Sequence, residues 1–160
     1  MNLKNDLDGD SWIDKAWGRS RTIVDSYRFR CCELLVEAKS YCSLHSHESA
    51  ANLFCLVEGR MDIITLASNE IQCSSLNSGD VIVPSGVLHM FVAYDDCRLY
   101  ESYYPDGGPN TIGCDINRLF ISGKFSDGEI DQLFFDCHGT EMLDVFGDFD
   151  KWLKNKVDII

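Results

Sequence analysis

From Thr22 to Tyr104 the chain reads as short β-strands separated by turn residues, with no helical period between them. The predicted strands are Thr22–Val24, Arg28–Glu37, Tyr41–His47, Leu53–Glu58, Met61–Leu66, Gln72–Leu76, Asp80–Val83, His89–Ala93 and Cys97–Tyr104. Turn residues lie between them at Glu58-Gly59, Ser68-Asn69, Asn77-Ser78-Gly79, Pro84-Ser85-Gly86 and Tyr94-Asp95-Asp96. Many short strands at regular spacing predict a β-sandwich or barrel. With no helical pattern between them, the reading is against β-α-β units and a parallel sheet.

A chain of 160 residues predicts one domain with a proper core. Its net charge of −12 disfavours nucleic acid or an anionic membrane surface as partner. The same charge argues against an anionic substrate unless arginines and a metal are gathered locally. No stretch is long and apolar enough to span a bilayer, and the first ten residues lack the apolar core of a signal peptide. The eight cysteines are scattered and include no C-x-x-C pair. The expectation is a cytoplasmic protein with buried free thiols and a small-molecule partner.

Three of the four histidines are spaced for a metal site. His45 and His47 alternate on one predicted strand and so share a face. His89 opens another strand that can meet them across a barrel. Three neutral imidazoles suit a divalent transition metal. Strand parity turns the neighbouring Cys42 away from the histidine pair, and Glu48 faces away as well. Read singly, the histidines are equally compatible with a polar strand face or a hydrogen-bonded core residue.

The two histidine segments resemble the cupin family. The first motif reads H-S-H-E-S-A-A-N-L-F-C-L-V-E-G from His45 to Gly59, and the second G-D-V-I-V-P-S-G-V-L-H from Gly79 to His89. The resemblance implies a double-stranded β-helix, the jelly-roll barrel, with a metal near its mouth. One departure stands out. The family's usual acidic ligand is replaced by Asn52, a neutral and weaker ligand. The implied set is His45, His47, His89 and Asn52, holding zinc, iron, manganese, nickel or cobalt.

Flanking segments are similar to mannose-6-phosphate isomerase type II and to the C-terminal isomerase domain of mannose-1-phosphate guanylyltransferases. They are K-A-W-G at Lys15–Gly18, D-S-Y-R at Asp25–Arg28, S-L-H-S-H, L-Y-E at Leu99–Glu101 and D-I-N-R at Asp115–Arg118. Ala16 departs from that group's Pro, and Ala38-Lys39 stands where the group has a Pro-Gly turn. This resemblance implies an aldose–ketose isomerase or epimerase of a sugar or sugar phosphate. In it Glu101 is the base, and Arg118 holds a phosphate or a developing enediolate, with Lys15 as a second cation for that task. Among the aromatics that can line a sugar pocket are Trp17, Phe91, Tyr100, Tyr103 and Tyr104. Two other functions fit the same residues: a three-histidine non-haem iron oxygenase, and a non-catalytic binding cupin. Family habit also implies a homodimer.

After Pro105 the pattern changes. From Thr140, which can cap a helix, apolar residues recur at helical spacing: Met142, Phe146, Phe149, Leu153 and Val157. The expected organisation is an N-terminal arm (1–14), a barrel (15–124) and a C-terminal helical extension (125–160). The helix's apolar stripe is expected to pack on the outside of the barrel, or to form a dimer contact.

Overall fold

The computed structural model describes residues 11–26, 28–67, 70–105, 116–118, 122–126 and 128. The predicted helix beyond Thr140 lies outside the described residues.

Thirteen strands are found among the described residues: β1 (Ile13–Lys15), β2 (Gly18–Ser26), β3 (Phe29–Val36), β4 (Ser40–Tyr41), β5 (His45–His47), β6 (Ala50–Glu58), β7 (Met61–Ala67), β8 (Glu70–Ser75), β9 (Val81–Val83), β10 (Leu88–Ala93), β11 (Cys97–Pro105), β12 (Ile116–Arg118) and β13 (Gly123–Lys124). Every pairing is antiparallel. One sheet runs β1-β2-β3-β11-β6-β9. In the other, β10 lies between β7, which also pairs β8, and the two short strands β4 and β5. The two sheets form a jelly-roll barrel, the form that the cupin resemblance implies and one of the two that the strand pattern allows.

Period-two burial builds the interior. Cys32, Leu34 and Val36 alternate inward on β3, and Leu99 and Glu101 do so on β11. The core joins Leu34, Phe54, Ile63, Val83 and Leu99 with Phe91 and Trp17. β7 and β10 are buried on both faces, since Ile63 and Phe91 on one face and Ile64, Met90 and Val92 on the other are all at most 3% exposed. That is why both strands read as nearly continuous apolar runs rather than as a clean alternation.

The predicted strand Tyr41–His47 is broken. Its two ends, β4 and β5, pair the same strand β10, with Tyr41 opposite Val92 and His45 opposite His89. From Tyr41 to His45 the chain advances four residues while its partner advances three. One residue is therefore extra, which is a β-bulge. Cys42 stays bound to the partner strand there: its N–H donates to Phe91 O (3.3 Å), and its Sγ accepts from the Phe91 N–H (3.1 Å).

Candidate metal centre and cavity

The bulge and two turns aim the histidines. His45 and His47 project from β5 on one side of β10, and His89 sits at the start of β10, opposite His45. Gly86 has φ +76°, a conformation glycine adopts freely, and its N–H donates to His47 O at 2.7 Å. The Pro84-Ser85-Gly86 turn is thus tied to the strand that carries the histidine pair. The three ring centroids lie 4.5–5.7 Å apart, and the ligand nitrogens are all within 4.8 Å of one another.

Two backbone carbonyls set the tautomers. His45 Nδ1 lies 2.6 Å from Ser43 O, and His89 Nδ1 lies 2.9 Å from Val87 O. A nitrogen facing a carbonyl must carry the proton, so each Nε2 presents a lone pair. This is how metal-ligating histidines are oriented. Burial holds His45 down to about 3, with help from His89, His47 and Arg118 against the Ser43 bond; burial also holds His89 down to about 4. Both rings are neutral at neutral pH, the form that binds a metal. His89 is 1% exposed, and its Nε2 has no hydrogen-bond partner among the described residues. Asn52 Oδ1, fully buried, has none either. A buried imidazole nitrogen left unmatched where three rings converge is what a metal-binding donor set looks like before the ion is counted; the group that converges is His45, His47 and His89. The residues fit a divalent transition metal.

Beside the histidines opens a cavity of about 350 Å³. Of the residues expected at a site, His45, His47, Lys15, Trp17, Phe91, Glu101, Tyr103 and Arg118 line it. Asn52 and His89 lie in the wall behind it, 0% and 1% exposed. Trp17 occupies the two-residue hairpin between β1 and β2 and packs edge-on against Phe91 at 5.2 Å. Gly18 closes that hairpin because a Cβ there would stand 2.2 Å from Leu35 O. Tyr103 packs against His47, ring to ring, at 5.3 Å. Arg118 comes from β12, directly opposite His45 in the sheet.

Parity on β11, open from sequence alone, turns Glu101 inward. It is 7% exposed. Burial pushes its carboxyl up to about 7, while hydrogen bonds from the Tyr103 hydroxyl and the Asn52 amide hold it back. The Asn52 Nδ2–Glu101 Oε1 distance is 2.7 Å. Tyr100 is on the opposite face and takes a hydrogen bond from Arg98 (3.3 Å); neither it nor Tyr104 lines the cavity.

One expectation is corrected. Cys42 does not turn away from the histidines but lines the same cavity, because the bulge reverses the strand's parity between Cys42 and His45. Arg30, also in the lining, was missed. Its signal was present in the sequence, since it is in phase with the inward Cys32 and Leu34 on β3. It is held by Asp25 at 3.1 Å.

Fold and site together define a jelly-roll barrel whose three-histidine group could hold a metal ion. Residues 28–102 match the Cupin family model, which supports the cupin family for this barrel. Among solved structures the chain is similar to KdgF from Halomonas sp. at 14% identity, covering 61% of this chain and 87% of that one, with TM-score 0.51. It is also similar to oxalate decarboxylase from Bacillus subtilis, at 15% identity over 74% of this chain and 32% of that one, with TM-score 0.60. The Lactobacillus farciminis oxalate decarboxylase, in its formate complex, matches at 16% identity over 68% of this chain and 34% of that one, with TM-score 0.56. The chain spans about a third of those decarboxylases. Identities this low speak for the fold. Comparison with curated proteins finds no match.

Proposed function

We propose that this cavity is the active site of a metal-dependent isomerase or epimerase of a sugar or sugar phosphate, similar to mannose-6-phosphate isomerase type II. The observation that carries the reading is the convergence of Arg118 and Glu101 on the cavity beside the three histidines. His45, His47 and His89 would hold the ion, which when bound supplies Lewis acidity toward a carbonyl and its neighbouring hydroxyl. Glu101 is the group that takes a proton from one carbon and returns it to the next. Its burial keeps water away from that exchange. Trp17 and Phe91 supply apolar wall to the cavity, suited to sugar C–H surfaces. Arg118 and Lys15 bring positive charge to the lining in a chain of net charge −12, beside Arg30, whose charge is paired with Asp25. A phosphate fits that end through a bidentate guanidinium contact.

A second reading is favoured by the donor set itself. Among the described residues no acid joins the three-histidine group, and such a centre with open positions also suits iron(II) oxygen chemistry. Bacillus subtilis oxalate decarboxylase, a fold neighbour, is described with Mn(II) centres.

Plasma mass spectrometry of the untagged protein is the first test. About one ion per chain, lost in His89→Ala, is expected. Aldose–ketose interconversion should then be measurable, and absent in Glu101→Gln with the ion retained. Ferrous-dependent oxygen uptake without isomerisation would favour the second reading. Absence of metal after adding back iron, zinc, manganese, nickel and cobalt would sink both and leave a binding cupin.

A further inference from the structure

We propose that Asn52 is a positioning residue for Glu101, and that the amide at this position is what allows a buried acid to stand beside it. The inference rests on Glu101 being the proton carrier of the site. It changes the role expected of Asn52, from metal ligand to holder of the acid.

The register places the two side chains together. Across β6 and β11, Asn52 lies opposite Tyr103, and Phe54 lies opposite Glu101. Asn52 and Glu101 are therefore diagonal neighbours on one inward face, within reach of each other. Asn52 Nδ2 donates to Glu101 Oε1 at 2.7 Å, and the Tyr103 hydroxyl bonds the same carboxyl group. The amide's orientation follows from its partner, since turning the oxygen toward Glu101 would set two acceptors face to face. Glu101 and Tyr103 line the cavity, and Asn52, 0% exposed, does not. Asn52 stands behind the acid and Tyr103 beside it. Together they fix the direction in which the carboxyl group meets a ligand.

Residue chemistry explains the choice of side chain. An amide donates a hydrogen bond, whereas an ionised carboxylate only accepts. Aspartate at position 52 would put a second acid within hydrogen-bond distance of Glu101. Two buried carboxylates that close cannot both be ionised. Asn52 removes that conflict and adds a bond. The acid of this site is then Glu101, on the neighbouring strand, and it lies outside the three-histidine ligand group.

The test exchanges the pair and follows two readouts that need no activity. Asn52→Asp should lower the thermal midpoint by about 5 °C, and adding Glu101→Gln should restore most of it, because glutamine then donates to the new aspartate. Rescue by the swapped pair is a signature that a merely structural asparagine would not give. In parallel, zinc affinity from chelator competition should change by less than about threefold in Asn52→Ala, against a loss of at least about tenfold for a ligand or its support. A well-tolerated Asn52→Asp, no rescue by Glu101→Gln, or a tenfold affinity loss in Asn52→Ala would each overturn the proposal. Pair rescue in a protein that binds no metal would leave the positioning role standing while the metalloenzyme reading failed.

Discussion

At the scale of single residues, the site depends on which protons are held where. Ser43 O and Val87 O fix the protons of His45 and His89 on Nδ1, and burial keeps both rings neutral. The same burial acts in reverse on the thiols. It pushes Cys32 up to about 11 and raises Cys42 further still. A thiol reacts as its thiolate, so a raised pKa means an inert group at neutral pH. Brief iodoacetamide treatment of the native protein should leave Cys42 and Cys32 unmodified by mass spectrometry, with both labelled after denaturation. Rapid native labelling of Cys42 would contradict its burial. The sequence alone allowed the three histidines to be grouped, because their spacing matches two strands of one barrel. It misjudged Cys42 because parity counts only along an unbroken strand.

At the scale of elements, the strands were legible and their irregularities were not. Alternation marked β3 and β11, and apolar runs bounded by turn residues marked β6, β7 and β10, within a few residues of their ends. The bulge between β4 and β5 comes from competition for one partner, β10, and no local pattern announces it. The β1–β2 hairpin also escaped the strand reading, though Gly18 was its signal. Gly18→Ala would drive a Cβ into Leu35 O at φ +141°, and an expected loss of about 1–3 kcal/mol is measurable by denaturant unfolding. A second element-level feature is Glu33, 2% exposed on the outer side of β3, which joins Arg21 on β2 and Arg98 on β11. Burial works to raise its carboxyl, but the two arginine bonds outweigh it and hold it below the ordinary value. A depressed carboxyl stabilises the fold above its unfolded pKa of about 4.3, and that stabilisation is lost as pH falls through the folded value. Glu33→Gln should therefore be less stable than the parent near pH 7. The two should converge in acid, below the ordinary glutamate range. A gap that persists unchanged in acid would mean that packing, not charge, is what Glu33 supplies.

At the scale of the whole molecule, β10 connects two regions with different duties. His89, second residue of the strand, stands at the candidate metal centre, and Tyr94 follows its other end on the far side of the sheet. There the Tyr94 hydroxyl donates to buried Asp62 at 2.6 Å, with Cys73 Sγ 3.5 Å from the same oxygen. The histidine end leaves polar atoms open for a ligand, whereas Asp62 at the other end takes its bonds from within the protein. This division predicts a double dissociation. Tyr94→Phe leaves buried Asp62 short of a hydrogen bond and should cost about 1–3 kcal/mol, with metal content unchanged. His89→Ala should abolish metal binding. Because an ion that binds only the folded state stabilises it by mass action, the parent should melt higher loaded than after chelation, by about 2.7 kcal/mol at a free metal concentration a hundredfold above Kd. That increment should persist in Tyr94→Phe, on a lower baseline, and vanish in His89→Ala. Calorimetry of the three proteins, each loaded and chelated, gives the comparison. If Tyr94→Phe also lost the increment, the two ends of the barrel would be coupled through β10, and the separation of stability from site would be wrong.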